Sequence, residues 1–321
     1  MSVDAEVIAD RRRLRRKLTF WRVAGLLGLI AAVLALGYSA ADRAGFVPGE
    51  AHVARVSING FIAGSQRLAD LMDRVGRAPS VSGVVISINS PGGTTTGSEE
   101  LYRNIRRLAE RKPVVTFVDG TAASGGYITA IAADHIVARE TSLVGSIGVL
   151  FQYPDVSQLL GNIGVKVEAV KSSPLKAEPS GFNPTSPEAR AALQQVVNDT
   201  YDWFKGLVRE RRHLSDGELA AASTGQIFSG RQGVPLKLVD KLGTERDAIA
   251  WLEQEKGVRK NLPVREWRQT GGPGFSIFAA AATGADLLGF EGAAAAFRRA
   301  STSAQGGQLD GLLAVWQPSE K

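Results

Sequence analysis

The sequence contains no cysteine. Disulfides, thiolate zinc sites and a cysteine nucleophile are thereby excluded. The absence does not fix a compartment, since an exported enzyme can also do without cysteine. Histidine is almost as scarce, with only His52, His135 and His213 in 321 residues. A serine hydroxyl is a weak nucleophile that needs a base. None of the three histidines has an acid placed to complete a recognisable triad. Basic charge is also scarcer than the net +6 suggests. Arg11, Arg12, Arg13, Arg15, Arg16, Lys17 and Arg22 carry +7 with no acid among residues 11–22, so the remaining chain sums to −1. A nearly neutral body with no basic stripe excludes nucleic acid as a partner.

After the basic cluster comes an uncharged apolar run, Val23–Ala41. Its length is close to the ~20 residues that span a hydrocarbon core. Trp21 and Tyr38 sit near its two ends, where interfacial aromatics belong. Basic residues on the N-terminal side predict a cytoplasmic N-terminus and an exported body. The apolar region of a cleaved signal peptide would be shorter, ~7–15 residues. Ser39-Ala40-Ala41 nevertheless has the small side chains of a cleavage site. The run is read as an uncleaved anchor. The resulting organisation is a basic cytoplasmic tail at 1–19, a transmembrane anchor at 20–41, a linker at 42–50, a body at 51–268 and a C-terminal tail at 269–321. The tail is Gly/Ala/Ser-rich with short apolar pieces such as Leu312–Trp316, and is expected to be mobile.

Within the body, strand and helix patterns alternate. His52–Ile58, Gly83–Asn89, Val114–Val118, His135–Ala138, Ile147–Phe151 and Val165–Val170 read as strands. Helices are expected from the Ser65 cap to Val75, over Gly97–Arg111, after Ser124 to Ala133, and near Asp155–Asn162. A long one is expected over Pro187–Arg212, with Ser186 as N-cap and Pro187 at the first position. This order predicts an α/β fold with a mainly parallel sheet.

Two Gly-containing turns succeed two of these strands: N-S-P-G-G (89–93) and A-S-G-G-Y (123–127). Sites in open α/β sheets form at the carboxyl ends of strands. Glycine lets backbone approach a ligand closely, and backbone N–H groups at such turns can face an oxyanion. Either turn alone reads better as a plain connection with serine as cap. Two on adjacent strands make a site around Ser124 an equally good reading. His135 lies eleven residues on, at the start of a strand. Lysine is the other candidate base, since burial can render it neutral. Local sequence does not choose between Lys166, Lys171 and Lys176, and the commonest fate of a lysine is a solvated surface charge. Lys176 stands out in S-P-L-K-A-E-P, a loop pinned by Pro174 and Pro179.

Taken together, N-S-P-G-G (89–93), D-G-T-A-A-S-G-G-Y (119–127), G-S-I-G-V (145–149), K-A-E-P (176–179), G-Q-I-F-S-G-R-Q (225–232) and L-V-D (238–240) carry a resemblance. Over about residues 50–265, and in its N-terminal anchor, the chain resembles the signal peptide peptidase A group of Ser-Lys peptidases within the Clp/crotonase superfamily. The resemblance implies repeated ββα units with a mainly parallel sheet. It implies Ser124 as nucleophile, Lys176 as general base, Ser146 orienting the lysine, and the Gly93 and Gly125 N–H groups as oxyanion hole. Clp peptidases take a histidine from the segment matching G-S-I-G-V-L-F-Q, and this chain has none there. It departs from its relatives at Ile128, where a second aromatic is usual, and in the S-S-P-L approach to Lys176, which leaves Lys171 as the alternative base. No metal or cofactor is implied. The implied substrates are leftover signal peptides and other apolar segments. The implied assembly is a homo-oligomeric ring, held by the anchor at the inner membrane with the catalytic domain on the periplasmic side. An acyl-CoA enzyme of the crotonase type would need a carboxylate pair in place of Ser124. A catalytically dead scaffold would lack Ser124 or Lys176, and both are present.

Overall fold

The β-branched runs around residues 83–89 and 114–118 become the centre of an eight-stranded sheet. Val84, Val85, Ile86, Ile88, Val114, Val115 and Val118 are wholly buried in it. Continuous apolar strands of this kind are stable only when both faces of a parallel sheet are covered. The computed structural model describes residues 50–269, the backbone of Leu313–Val315, and helical residues at 17, 20–25 and 27–28. The strands are β1 (His52–Asn59), β2 (Val81–Ser90), β3 (Gly92–Thr94), β4 (Val114–Ala123), β5 (Ile136–Ala138), β6 (Leu143–Gly145), β7 (Ile227–Ser229), β8 (Lys241–Leu242), β9 (Val264–Glu266) and β10 (Leu313–Val315). The large sheet runs β7-β6-β4-β2-β1-β9, with β5 beside β4 and β8 beside β5. Every pair in it is parallel except β6 with β7.

Two compact units make up the chain: residues 1–50 with 77–80, and residues 51–76 with 81–321. In the first, the Phe20 and Trp21 rings meet edge to face at 5.8 Å. Most of the expected anchor, residue 26 and residues 29–41, lies outside the described residues, as do residues 42–49. Among the described residues no helix is long and apolar enough to cross a membrane.

The second unit holds the sheet. Helices α1 (Gln66–Arg77), α2 (Thr95–Ala109) and α3 (Gly125–Ala130) connect its central strands. They bury Leu71, Met72 and Val75, then Leu101, Ile105 and Leu108, then every residue of α3. Helices α4 (Ser157–Asn162), α5 (Pro187–Arg212), α6 (Asp216–Ala222), α7 (Gly230–Gly233) and α8 (Glu245–Glu255) come next in the chain. Ala248 and Leu252 of α8 pack with Val53, Val85, Val115, Phe117 and Val137. Helix α5 begins as expected: the Ser186 Oγ accepts from the Ala189 N–H at 3.1 Å, and Pro187 opens the helix. It ends at His213, in the left-handed region at φ 51°.

Two expected strands are absent. Residues 147–149 have no regular structure, and the ladder instead uses β6, which starts four residues earlier. Residues 165–170 alternate as a strand should, but among the described residues they pair with no strand, and Val170 stands fully exposed. A strand pattern without a partner leaves its backbone groups to water. The helix after Ser124 stops at Ala130 and gives way to turns. Within the expected tail, Leu313–Val315 forms β10, and residues 270–312 and 316–321 lie outside the described residues.

Helix α5 is tied to the sheet by one charged cluster. Arg212 donates to the two Asp240 carboxylate oxygens at 3.0 and 2.6 Å and to the Lys237 carbonyl at 2.6 Å. Asp240 also accepts from the Ile136 N–H at 2.7 Å. Arg212 keeps 9% side-chain exposure and Asp240 28%. Removing one partner of such a pair strands the other charge. Asp240→Ala is expected to cost roughly 3 kcal/mol, the low end for a buried pair because the carboxylate is partly wet. The corresponding fall in Tm is roughly 6–12 °C. A melting curve within about 2 °C of wild type would show that water replaces the lost carboxylate.

Candidate active site

Strand β4 changes neighbours along its length. Thr116–Val118 pair with β5 and Thr121–Ala123 pair with β6. Asn89 of β2 fills the break: its Oδ1 accepts from the Thr121 N–H at 3.2 Å, and a Cβ on Gly120 would stand 2.6 Å from that oxygen. Ser124 comes directly after β4 and carries φ 53° and ψ −116°. A side chain in that conformation is strained by about 1–3 kcal/mol and persists only where the surroundings over-determine it. Here they do. The Ser124 N–H donates to the Gly145 carbonyl at 2.8 Å, and the Ser124 carbonyl accepts from Tyr127 and Ile128 at 2.9 and 3.0 Å. The Oγ donates to the Gly148 carbonyl at 3.4 Å.

Helix α3 behind Ser124 is short and buried, so its ends require partners. At the far end, Arg211 donates to the carbonyls of Ile131 and Ala133, both at 2.9 Å, and Arg106 to that of Ala132 at 2.7 Å. The buried Tyr127 hydroxyl donates to the Leu238 carbonyl at 3.0 Å, and its pKa is pushed up by burial. Gly125 is the first residue of the helix, where an N–H has no intrahelical acceptor.

The N-S-P-G-G turn lies against this one. Ser90 pairs with Ala122, and a Cβ on Gly126 would stand 2.6 Å from the Ser90 carbonyl oxygen. The Ser90 hydroxyl donates to the Gly60 carbonyl at 2.6 Å and accepts from the Gly92 N–H at 3.1 Å. Ile62 then takes one edge of β3, donating to Gly92 at 2.9 Å and accepting from Thr94 at 2.8 Å. A Cβ on Gly93 would sit 1.8 Å from the Ile62 oxygen, so only glycine fits. The expected pair Gly93 and Gly125 thus sits on the two adjoining turns.

Ser146 follows Gly145, whose carbonyl holds the Ser124 N–H. It has φ 50°, is buried, and its N–H donates to Gln226 at 2.8 Å. The G-Q-I-F-S-G-R-Q motif forms β7, antiparallel to β6, and so backs the G-S-I-G-V segment. Its Gly230 is required because a Cβ there would lie 2.1 Å from the Arg139 oxygen. Sequence reading did not find β6 and β7. At three residues each, they carry too little periodicity to register.

The lysines fall elsewhere. Lys176 is exposed, and among the described residues no hydrogen bond joins it to Ser124. Lys171 is bound to the Glu178 carboxylate, which holds that carboxyl below its usual range. Lys166 pairs with Glu168 at 2.8 Å. The histidines are remote from the serine too. His52 stacks on Trp267, and His213 caps α5. The His135 carbonyl accepts from Thr116, which places it eight residues down β4 from Ser124, roughly 25 Å at strand rise. Among the described residues no group of three or more His, Asp or Glu side chains is arranged to hold a metal ion.

His135 has a structural role. It stacks on Trp251 at 4.7 Å, with Nδ1 3.7 Å from Asp240 and Nε2 buried without a partner. Burial pushes its pKa below the ordinary 6.5, against the opposing pull of Asp240. The unfolded chain then binds the proton more readily, so the contribution is full above pH 6.5 and is lost as pH falls below it. Between about pH 7.5 and about pH 5.5 the urea midpoint of wild type is expected to fall more than that of His135→Phe, which keeps the stacking. Parallel shifts in the two proteins would remove His135 from the account.

Residues 106–259 match the model of Peptidase family S49. A Methanocaldococcus jannaschii protein described as a protease is 40% identical over 185 residues, 58% of this chain and 60% of that one. A Synechocystis protein so described is 34% identical over 200 residues, 62% of this chain and 72% of that one. An Enterococcus faecium protein described as signal peptide peptidase SppA is 31% identical over 218 residues, 64% of this chain and 63% of that one. The chain thus spans 60% of the length of the first of these relatives. With both glycine turns, the G-S-I-G-V segment and its backing strand in place, this chain belongs to peptidase family S49.

Proposed function

We propose that the chain is a serine endopeptidase of the signal peptide peptidase type, with Ser124 as its nucleophile. The observation that carries the reading is the strained Ser124 backbone, held at the head of a buried helix between two glycine turns. Strain of this kind concentrates where a side chain must be presented to a reacting group. In the proposed reaction a neutral lysine, Lys176, takes the proton from Ser124 Oγ as that oxygen bonds to a peptide carbonyl carbon. The N–H groups of Gly93 and Gly125 hold the developing oxyanion. The lysine returns the proton to the departing amine as the C–N bond breaks, and water then hydrolyses the acyl-enzyme. Ser146 accepts a hydrogen bond from the lysine and orients it.

In the single chain Lys176 stands on an exposed arm. Leu159, Ile163, Val170, Leu175 and Phe182 of this arm are 48–108% exposed. Apolar surface of this extent marks an interaction site. The unpartnered alternation of residues 165–170 fits a strand completed by another copy. Both support the proposed homo-oligomeric ring, in which packing of the arm carries a lysine to a serine. Residues 20–41 would anchor the ring at the inner membrane, with the catalytic body on the periplasmic side. Its substrates would be leftover signal peptides and other apolar segments.

The test is hydrolysis of a signal-peptide-like apolar substrate by wild type, Ser124→Ala and Lys176→Ala, with folding checked by circular dichroism. Each variant is expected to stay folded and lose at least about a thousandfold in kcat/KM. Partial recovery on mixing the two dead variants would place serine and lysine on different copies. A Ser124→Ala variant retaining its rate would end the peptidase reading, and a Lys176→Ala variant retaining it would move the base elsewhere.

A further inference from the structure

Two glycines shape a cavity at the end of β1. Residues 60–65 leave that strand and cross over α2. The crossing is close: a Cβ on Gly97 would stand 2.4 Å from the Gly64 nitrogen. Gly64 has φ 79°, in the region that favours glycine, and a Cβ on it would stand 3.0 Å from Glu100 Oε2. The Glu100 carboxylate therefore lies against residue 64, three residues along α2 from Gly97 and on the same face. Here the crossing segment, β1 and α2 enclose a cavity of about 310 Å³. Its apolar lining includes Ile58, Phe61, Ile62, Leu68 and Leu101. Glu100 is the one charged side chain among the described residues that line it. Neighbouring Glu99 is paired with Arg103 at 2.5 Å. Among the described residues no hydrogen bond or ion pair engages the half-buried Glu100. A carboxylate drawn partly out of water is costly while it lacks a partner.

The cavity shares an edge of the sheet with Ser124. Asn59 ends β1 and pairs with Asn89, the first residue of N-S-P-G-G. Strand β1 is two places from β4 in the sheet. At ~4.8 Å per strand their ends are roughly 10 Å apart, a distance that about three residues of extended peptide would span.

We infer that this cavity binds a basic side chain, lysine or arginine, of the peptide substrate. The inference rests on the function proposed above. Lysine and arginine combine an apolar stem with a charged head, and the cavity offers apolar walls and one carboxylate to match. Its volume is at the small end for ligand sites, which run to the order of 300–1,000 Å³, and suits one side chain. A signal peptide carries its basic residues on the N-terminal side of its apolar region. Held by that basic end at Glu100, it would present its apolar region toward Ser124. The cavity would thus favour a leftover signal peptide over an apolar segment without a basic flank. Main-chain pairing alone draws no such distinction.

The test uses the full chain with Ser124→Ala, so that binding is read without cleavage. Two acetylated fluorescent apolar peptides are compared by anisotropy. One carries a pair of lysines at its N-terminal end, and the other carries norleucines there, which keep the stem and remove the charge. The lysine peptide is expected to bind about tenfold tighter. That preference should vanish in Glu100→Gln, and Glu100→Lys should instead prefer a peptide with glutamates at the same positions. Added salt should narrow the preference in the chain with Glu100 intact, a readout that needs no substitution in the cavity. Equal affinity for the lysine and norleucine peptides, no measurable binding of either, or a lysine preference that survives Glu100→Gln would overturn the inference. With Ser124 intact, Glu100→Gln is expected to lower kcat/KM for the lysine peptide about tenfold, the change falling on KM. Lysine-dependent binding by a chain that hydrolyses neither peptide would keep the cavity and sink the peptidase reading. Hydrolysis of both peptides at equal kcat/KM would keep the peptidase reading and sink the cavity.

Discussion

The hydrogen bond from the Ser124 N–H to the Gly145 carbonyl, 2.8 Å long, joins the end of β4 to β6 at the point where the sheet changes partners. Strand β4 leaves β5 after Val118 and takes up β6 at Thr121. In an open α/β sheet such a change of neighbour opens a crevice at the carboxyl ends of the strands. The chain must reverse there into α3 within one residue. Only a positive φ achieves this, and glycine is the usual choice. A serine tolerates it because its N–H and carbonyl are both engaged and the helix behind it is clamped by Arg106, Arg211 and the Tyr127 hydroxyl. The same closeness explains the neighbouring glycines: Gly126 meets the Ser90 carbonyl and Gly120 meets Asn89.

The central architecture was legible because its causes are local. Runs such as V-V-I-S-I-N and V-V-T-F-V admit few alternatives to buried parallel strands. The start of α5 could be placed to the residue from Ser186 and Pro187, since cap chemistry depends on adjacent side chains alone. The two glycine turns could be read as a joint feature because both succeed strands that neighbour each other in the sheet. Strands β6 and β7 escaped notice because an antiparallel pair of three residues each is defined by its partner, and the partner is some eighty residues away. The residues at 165–170 failed for the converse reason. Their alternation is a genuine strand pattern, but alternation names no partner, and among the described residues no strand pairs with them.

The position of the lysines belongs to this second class. The S-P-L-K-A-E-P loop suggested a pinned side chain, and the cluster it forms is in fact made by Lys171 and Glu178, which leaves Lys176 in solvent. That contact engages the Lys171 side chain, which would have to leave Glu178 before it could reach a serine. What the geometry does not do in one chain is bring any lysine to Ser124. Apolar side chains on the same arm, from Leu159 to Phe182, stand in water. Burial at roughly 25 cal/mol per Å² would favour any arrangement that covers them. The proposed ring would supply such cover.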